Sequence, residues 1–453
     1  MFQTRALFLT RTPGLSWVAI VRLGLVQAAL GSIVVLTTST LNRVMVVELS
    51  LAAVVPGMLV GLHYAVQLGR PLWGHASDRG GSRTRWILGG LALLAIAGTG
   101  AAATTLLFEQ GFWLGMTAAL VAFTFIGFGI GASGTSLLAL LASRTAPERR
   151  PAAATLVWMM MIAGIVITAI VSSVFLDPYS HMRLVIITAI SGTIALSIAA
   201  LAVLGIERTT AEIRDPGEAD RHSATFGEAL REIWHDPAAR IFTVFVFVSM
   251  LAYQTQDLIL EPFAGLLFGH TPGESTALGG MHHAGVFLGM AFVGIIGSLF
   301  SARRPGLLKL FTVAGCLGSG LALGFLAVAA GAAPAWPLEV NVFALGFANG
   351  MFAVAAIGTM MTLAGQGRKS REGIRMGVWG AAQAIAFGLG GFVGTVAIDV
   401  TRWLTGDVAL SFAVVFTGEA VLFLISAMIA TSIGVATANR RQPAGHAPLA
   451  PAE

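Results

Sequence analysis

Charge is scarce in this chain. Only 11% of its 453 residues are Asp, Glu, Lys or Arg, while 56% are hydrophobic; a soluble globular protein carries roughly 25% charged residues. That stock of charge cannot cover a water-soluble surface, so a soluble domain is excluded. Cysteine is nearly absent: Cys316 is the only one, which rules out an internal disulfide and argues against a thiol-based site. Strands of alternating polarity are missing, which excludes an outer-membrane barrel. The N-terminal MFQTRALFLTRTPG has too short an apolar core and no small-residue cleavage site for a removable signal peptide, so the first span is expected to act as its own insertion signal. There is no Walker loop. The glycine-rich GFGIGASG at 127–134 lies inside an apolar run, where close helix packing explains it better than phosphate binding. The sequence pI is near 10.1, yet the basic residues are scattered over short loops and form no stripe of the kind that binds nucleic acid.

What the chain does have is apolar length. Mean hydropathy is +0.82, and runs of about 20 apolar residues, enough to cross a hydrocarbon core of about 30 Å as helix, recur almost throughout. Fifty-five glycines fit helices that approach closely where lipid offers no hydrophobic drive for association. Twelve spans are predicted, at about 17–41, 53–75, 86–108, 112–142, 151–176, 183–206, 239–266, 279–301, 307–331, 336–364, 374–400 and 408–437. Almost all Lys and Arg fall in the N-terminus, alternate loops, the stretch 207–238 and the tail; Arg43, Arg183 and Arg402 are the exceptions. Positive-inside bias therefore places both termini in the cytoplasm. The expected fold is an all-α integral membrane protein of 12 transmembrane helices in two pseudo-symmetric six-helix bundles, residues 1–206 and 239–437. A charged cytoplasmic linker at 207–238 joins them, and a disordered tail at 438–453 closes the chain.

Between the second and third spans stands GHASDRGGSRTRW, with Gly74, Asp78, Arg79, Gly81, Arg83 and Arg85. Glycines permit a tight turn, Asp78 can cap a neighbouring helix end, and the arginines suit anionic headgroups. The motif and its location resemble the signature loop of the major facilitator superfamily. In the matching loop of the second half, GSLFSARRPG, Gly297 is kept but Ser301 falls where the acid would stand.

Ionisable residues at membrane depth cost a few kcal/mol each on insertion scales, so they normally face a cavity or a partner. They are Arg22 and Arg43 in the first span, His63 and Arg70 in the second, Asp257 and Glu261 in the seventh, His282 and His283 at the start of the eighth, and Glu419 in the twelfth. Asp257 lies about 26 Å along its span at 1.5 Å per residue. Gln254, Asp257 and Glu261 share one helical face, and Pro262 is expected to bend the helix there. Setting TLNRVMVVEL beside TQDLILEPF pairs Arg43 with Asp257 across the pseudo-symmetry. Arg43 is thus expected to form an ion pair with Asp257 or Glu261, as a closing contact or a satisfied packing pair. Arg22 and Arg70, near the cytoplasmic side, read as snorkelling cations or an anion site. His63 reads as a hydrogen-bonded core residue, a proton relay or an axial metal ligand. Of the adjacent His282 and His283, at most one is expected to face the cavity. Gly346-x-x-x-Gly350 and the cluster Trp158-Met159-Met160-Met161 read as packing.

The segments VRLGLVQAALG (21–31), LNRVMVVEL (41–49), QDLILEPFAG (256–265), GMHHAGVFLGM (280–290) and GVWGAAQAIAFGLGG (377–391) carry a narrower resemblance. They resemble the PucC-type, or bacteriochlorophyll delivery, family of the major facilitator superfamily, which includes PucC and LhaA. The likeness extends over about residues 15–435, with the QD-x-x-LEPF block as its most distinctive part. It implies a non-enzymatic assembly factor of the inner membrane of a phototrophic bacterium, with bacteriochlorophyll or its precursor as cargo. Light-harvesting antenna polypeptides are the implied partners, with pigment-synthesis enzymes and membrane insertion machinery beside them. On that reading His63 or His282 supplies an axial nitrogen to the chlorin magnesium, and Gln27, Gln256, Asn349 and Gln383 donate to its carbonyls. Arg22, Arg43, Arg70, Asp257 and Glu261 serve as gating or coupling charges. A proton-coupled small-molecule transporter of the same superfamily is the alternative.

Overall fold

The computed structural model describes residues 14–69, 82–146, 149–209, 231, 234–300, 306–365 and 372–439. Arg70, Gly74, Asp78, Arg79 and Gly81 lie outside the described residues, as do Ser301, most of the linker and the tail. Among the described residues twelve helices of 14 residues or more order the chain: α1 (Trp17–Glu48), α2 (Val54–Gln67), α3 (Arg83–Gln110), α4 (Phe112–Arg144), α5 (Arg150–Leu176), α6 (His181–Val203), α7 (Pro237–Phe268), α8 (Pro272–Phe300), α9 (Leu307–Ala332), α10 (Leu338–Gly365), α11 (Glu372–Thr405) and α12 (Val408–Asn439). No strand occurs among the described residues. Eleven of the helices are long and apolar enough to cross a membrane; α2 has 14 described residues and falls short of that length.

The contact pattern repeats with a shift of six helices. In the first half α1 packs on α5 and α6, α3 on α4 and α6, and α2 on α4; in the second, α7 packs on α11 and α12, α9 on α10 and α12, and α8 on α10. The halves meet where α5 lies against α8 and α2 against α11, two contacts that the same shift exchanges. Small residues make this possible. A Cβ on Gly346 of α10 would fall on the His282 carbonyl oxygen of α8, and one on Gly127 of α4 on the His63 carbonyl of α2. His63 and His282 therefore occupy matching positions in the two halves.

Two expectations about the spans change. The first helix continues past 41 to Glu48, through two π-helical stretches, Leu36–Thr40 and Val44–Glu48. The eighth begins at Pro272, seven residues early, where Thr271 and Glu274 cap each other: the Thr271 N–H donates to Glu274 (2.8 Å) and the Glu274 N–H to the Thr271 hydroxyl (3.2 Å). That puts His282 and His283 about 15 Å into the helix at 1.5 Å per residue, at depth and not at its start. Helix α7 runs unbroken through Pro262.

The beginning of the sequence-assigned linker is part of the first bundle. Glu207, in the turn Ile206–Thr209, accepts from the Ser82 hydroxyl (2.7 Å) and from the backbone N–H groups of Arg83 (2.8 Å) and Thr84 (3.2 Å), capping α3. Its carbonyl accepts from Arg144 (2.7 Å). Arg83, expected to anchor on headgroups, instead donates to the Ala139 carbonyl (3.2 Å) and to Ser143 of α4. Burial pushes the Glu207 carboxyl up, but the hydrogen bonds from Ser82, Thr84 and Arg83 outweigh it and hold the group below its usual range. Its stabilising contribution is therefore present at neutral pH and fades as acid protonates the folded state. Glu207→Gln is expected to cost about 1 kcal/mol, the usual worth of a helix cap, at pH 7. The difference should shrink as the pH falls through the lowered titration range of the folded-state carboxyl, as read by thermal unfolding of the detergent-solubilised protein.

Candidate functional site

The polar residues of α7 do not end as isolated charges. Gln254 donates to Asp257 (3.4 Å) and accepts from the Tyr64 hydroxyl of α2 (3.4 Å), across the boundary between the halves. Asp257 faces His283 of α8, with Oδ1 3.9 Å from Nε2. Next to it, His282 Nε2 stands 3.3 Å from the side-chain amide nitrogens of both Gln256 and Asn349. Both are donors, so that nitrogen is the acceptor. The Asn349 oxygen accepts from Ser319 of α9 (2.8 Å). The two rings sit 5.1 Å apart, nearly perpendicular. Ligating atoms of Asp257, His282 and His283 lie within 4.8 Å of one another, so the two successive histidines both come close to the same carboxylate.

Aromatic rings continue the wall. His63 lies against Tyr64 (centroids 4.1 Å), Tyr64 meets Phe387 of α11 edge-on (5.8 Å), and Phe387 stacks with Tyr253 of α7 (6.3 Å), which meets Phe352 of α10 (6.4 Å). The chain has only three tyrosines, and two of them stand here, a scarcity that was a usable signal in the sequence. Gln27 of α1 donates to the Met161 sulfur (3.2 Å), and its Oε1 has no hydrogen-bond partner among the described residues. Gln383 is half-buried on α11.

Arg43 is 98% buried, but its ion pair is not with the acids of α7. Nη1 lies 2.5 Å from Glu48 Oε1 of the same helix. Nη2 donates to the His270 carbonyl (2.6 Å) and Nε to the Ser275 hydroxyl (3.3 Å) in the other half. The pairing predicted with Asp257 or Glu261 is thus replaced. The reason is local: in the π-helical stretch Val44–Glu48 residues five apart align, a spacing that a 3.6-residue period separates. Arg43 still ties the halves, through neutral acceptors. Arg22 is no anion site: it donates to the Ala202 (3.0 Å) and Leu204 (2.5 Å) carbonyls, capping the end of α6, where a cation complements the helix dipole. Glu261 and Glu419 are buried with no hydrogen bond to either carboxylate oxygen among the described residues.

Two carboxylates the sequence did not single out close the end that charge bias places outside. Asp399 of α11 accepts from the Ala53 (3.0 Å) and Val54 (2.7 Å) N–H groups at the start of α2. Asp177, after α5, accepts from the Thr271 hydroxyl (2.6 Å) and the Gly273 N–H (3.3 Å) at the start of α8. The sixfold shift exchanges these two caps. Asn42 also donates to the Leu258 carbonyl, and Thr40 meets Thr276 (3.1 Å).

Two mirrored six-helix bundles, meeting along a polar and aromatic boundary, define a membrane protein with the fold of the major facilitator class. The fold is similar to that of the peptide transporter POT in complex with sulfate (TM-score 0.68, 13% identity, 94% of this chain and 97% of that one). It is likewise similar to a bacterial homologue of the lysosomal transporter Spinster in an inward-facing conformation (TM-score 0.67, 14% identity, 94% and 98%). Residues 40–438 match the family model described as PUCC protein, and the chain belongs to that family. It is 52% identical to the "Bacteriochlorophyll synthase 44.5 kDa chain" of Rhodobacter capsulatus, over 95% of this chain and 98% of that one. It is 29% identical to Protein PucC of the same organism, over 91% and 92%.

Proposed function

We propose that this chain is an assembly factor of a phototrophic bacterium that binds bacteriochlorophyll within the membrane and delivers it to light-harvesting antenna polypeptides. Its membership of the PucC family over nearly its whole length carries the reading. The geometry supports it: a boundary lined by Tyr64, Phe387 and Tyr253 offers flat apolar contact, as a chlorin requires and a sugar does not. Gln27, with an unpartnered carboxamide oxygen, and Gln383 are the polar groups placed to orient the cargo. Neither histidine expected to ligate the chlorin magnesium suits it. His63 and His282 are both about 99% buried, and His282 is flanked by Gln256 and Asn349, which leaves no face for a macrocycle. In this reading the chain carries pigment without making it; the "synthase" in its relative's name belongs to that protein. Pigment-synthesis enzymes and the insertion machinery are the proposed neighbours in the membrane, as source and as destination.

The test is purification in mild detergent from a phototrophic host, with an absorption spectrum and identification of bound polypeptides. Pigment and antenna polypeptides are expected together, and Tyr64→Ala with Phe387→Ala should reduce the pigment by about tenfold, as loss of two aromatic contacts of 0.5–1.5 kcal/mol each implies. Pigment-free preparations that exchange a polar solute would favour the second reading, a proton-coupled carrier. Its support is the Tyr64–Gln254–Asp257–His283 chain, with the Asp257 side chain 20% exposed.

A further inference from the structure

Asp257, His282 and His283 make a donor set that the pigment reading leaves unused. The His283 ring is already oriented: Nδ1 lies 2.9 Å from the Gly279 carbonyl, one turn back on α8. That carbonyl can only accept, so Nδ1 carries the proton and the Nε2 lone pair is open. Metal-ligating histidines are held in this way by a backbone carbonyl. The open nitrogen faces Asp257 Oδ1 at 3.9 Å, too far for a hydrogen bond. It is close to the spacing of two donors that share an ion at about 2.0–2.2 Å each.

His282 completes the set. Its contacts to Gln256 and Asn349, both 3.3 Å, are long beside the usual 2.9–3.0 Å, so its lone pair is weakly held and can turn to an ion. Two independent observations point to a cation site. Gln256 is fully buried and its Oε1 has no partner, although its amide nitrogen already touches His282; that oxygen is placed to accept from an ion-bound water. Glu261, one turn from Asp257, is buried with both oxygens unpartnered, and a Cβ on Gly279 would lie 2.7 Å from its Oε1. It therefore sits beside the carbonyl that orients His283. The cation nearest in the fold, Arg43, is committed to Glu48.

We propose that Asp257, His282 and His283 bind a first-row divalent cation of zinc type, with Glu261 as the second buried negative charge beside it. Two imidazoles and one carboxylate favour zinc, cobalt, nickel or iron over magnesium or calcium, which take oxygen donors. The buried site admits a bare or partly hydrated ion but no chlorin, so the magnesium of a pigment is the wrong source. The proposal stands apart from the pigment reading.

The full chain, purified without a histidine tag and treated with chelator, would be titrated with Zn²⁺ by calorimetry and with Co²⁺ by visible absorption. One equivalent of Zn²⁺ is expected. Co²⁺ should develop the intense d–d bands of a low-symmetry protein site, absent from the aqueous ion. Asp257→Asn and His283→Ala should each weaken Zn²⁺ binding by more than about tenfold, a loss that even outer-shell partners of a metal can produce. His181→Ala, at the start of α6 where the ring pairs with Glu109 of α3 (3.2 Å), should leave it unchanged. The cobalt spectrum of the unaltered chain tests the site even if a variant misfolds. No saturable binding, a cobalt spectrum like that of the free ion, or binding untouched by both variants would overturn the proposal. Binding of Zn²⁺ by pigment-free protein would leave this site standing and the pigment reading without support; pigment without Zn²⁺ would do the reverse.

Discussion

Gly346→Val is expected to separate α8 from α10 and to abolish the polar centre they hold. The two helices touch backbone to backbone through glycines on both. A Cβ at Gly346 would overlap the His282 carbonyl, at Gly350 the Val286 carbonyl, at Gly285 the Phe343 carbonyl and at Gly289 the Phe347 carbonyl. None of these obstacles is the tip of a flexible side chain, so the helices themselves must move. The cost should reach about 3 kcal/mol, the upper end for overpacking a well-fitted interior. It should be read as early thermal unfolding of the detergent-solubilised protein. Because Asn349 and His282 are fixed by the same contact, the variant should also lose the Co²⁺ spectrum. Gly324→Ala is the control: nothing lies within 4 Å of a Cβ there, and in mid-helix the extra methyl should be neutral or stabilising. Equal stability of the two variants would mean that α8 and α10 do not approach as described.

The second large effect concerns the closed end. Asp177→Ala with Asp399→Ala strips the N-termini of α8 and α2 of the carboxylates that the opposite half supplies. A lost helix cap costs about 1 kcal/mol, up to about 2 in favourable cases, and both caps exist only while the halves meet at this end. Removing both therefore works against closure by about 2–4 kcal/mol, or a shift of more than tenfold in the ratio of closed to open states. Thr276 is fully buried under this closure, against Thr40. A cysteine placed there, with the buried native Cys316 replaced, should react with a membrane-impermeant maleimide more than about ten times faster in the double variant. The single variants should fall between. Unchanged labelling would show that the caps stabilise single helices and do not hold the halves together.

The sequence was a good guide to topology because topology depends on quantities that add along the chain. Apolar length set the spans, and the helices pack six and six on either side of the charged stretch. The family resemblance, carried by short blocks such as QDLILEPF, also reached its target. The α7 face with Gln254 and Asp257 was legible for the same reason, since residues three and four apart on a helix share a side wherever the helix is packed.

The partners of those residues were decided by tertiary structure. Arg43 went to Glu48 because α1 widens into π-helical turns, which no 3.6-residue period anticipates. Arg22 went to the end of α6, because the last carbonyls of that helix lack N–H donors of their own and stand within its reach. His282 and His283 met Asp257 together because α8 begins at Pro272 and the glycines of α10 let it settle one backbone away. Asp177 and Asp399 gained their role only when two halves, distant in sequence, brought helix N-termini to them. Length and charge are properties of a segment taken alone; the pairing of a buried charge depends on which backbone groups remain unsatisfied nearby, and that is fixed only when the helices have docked.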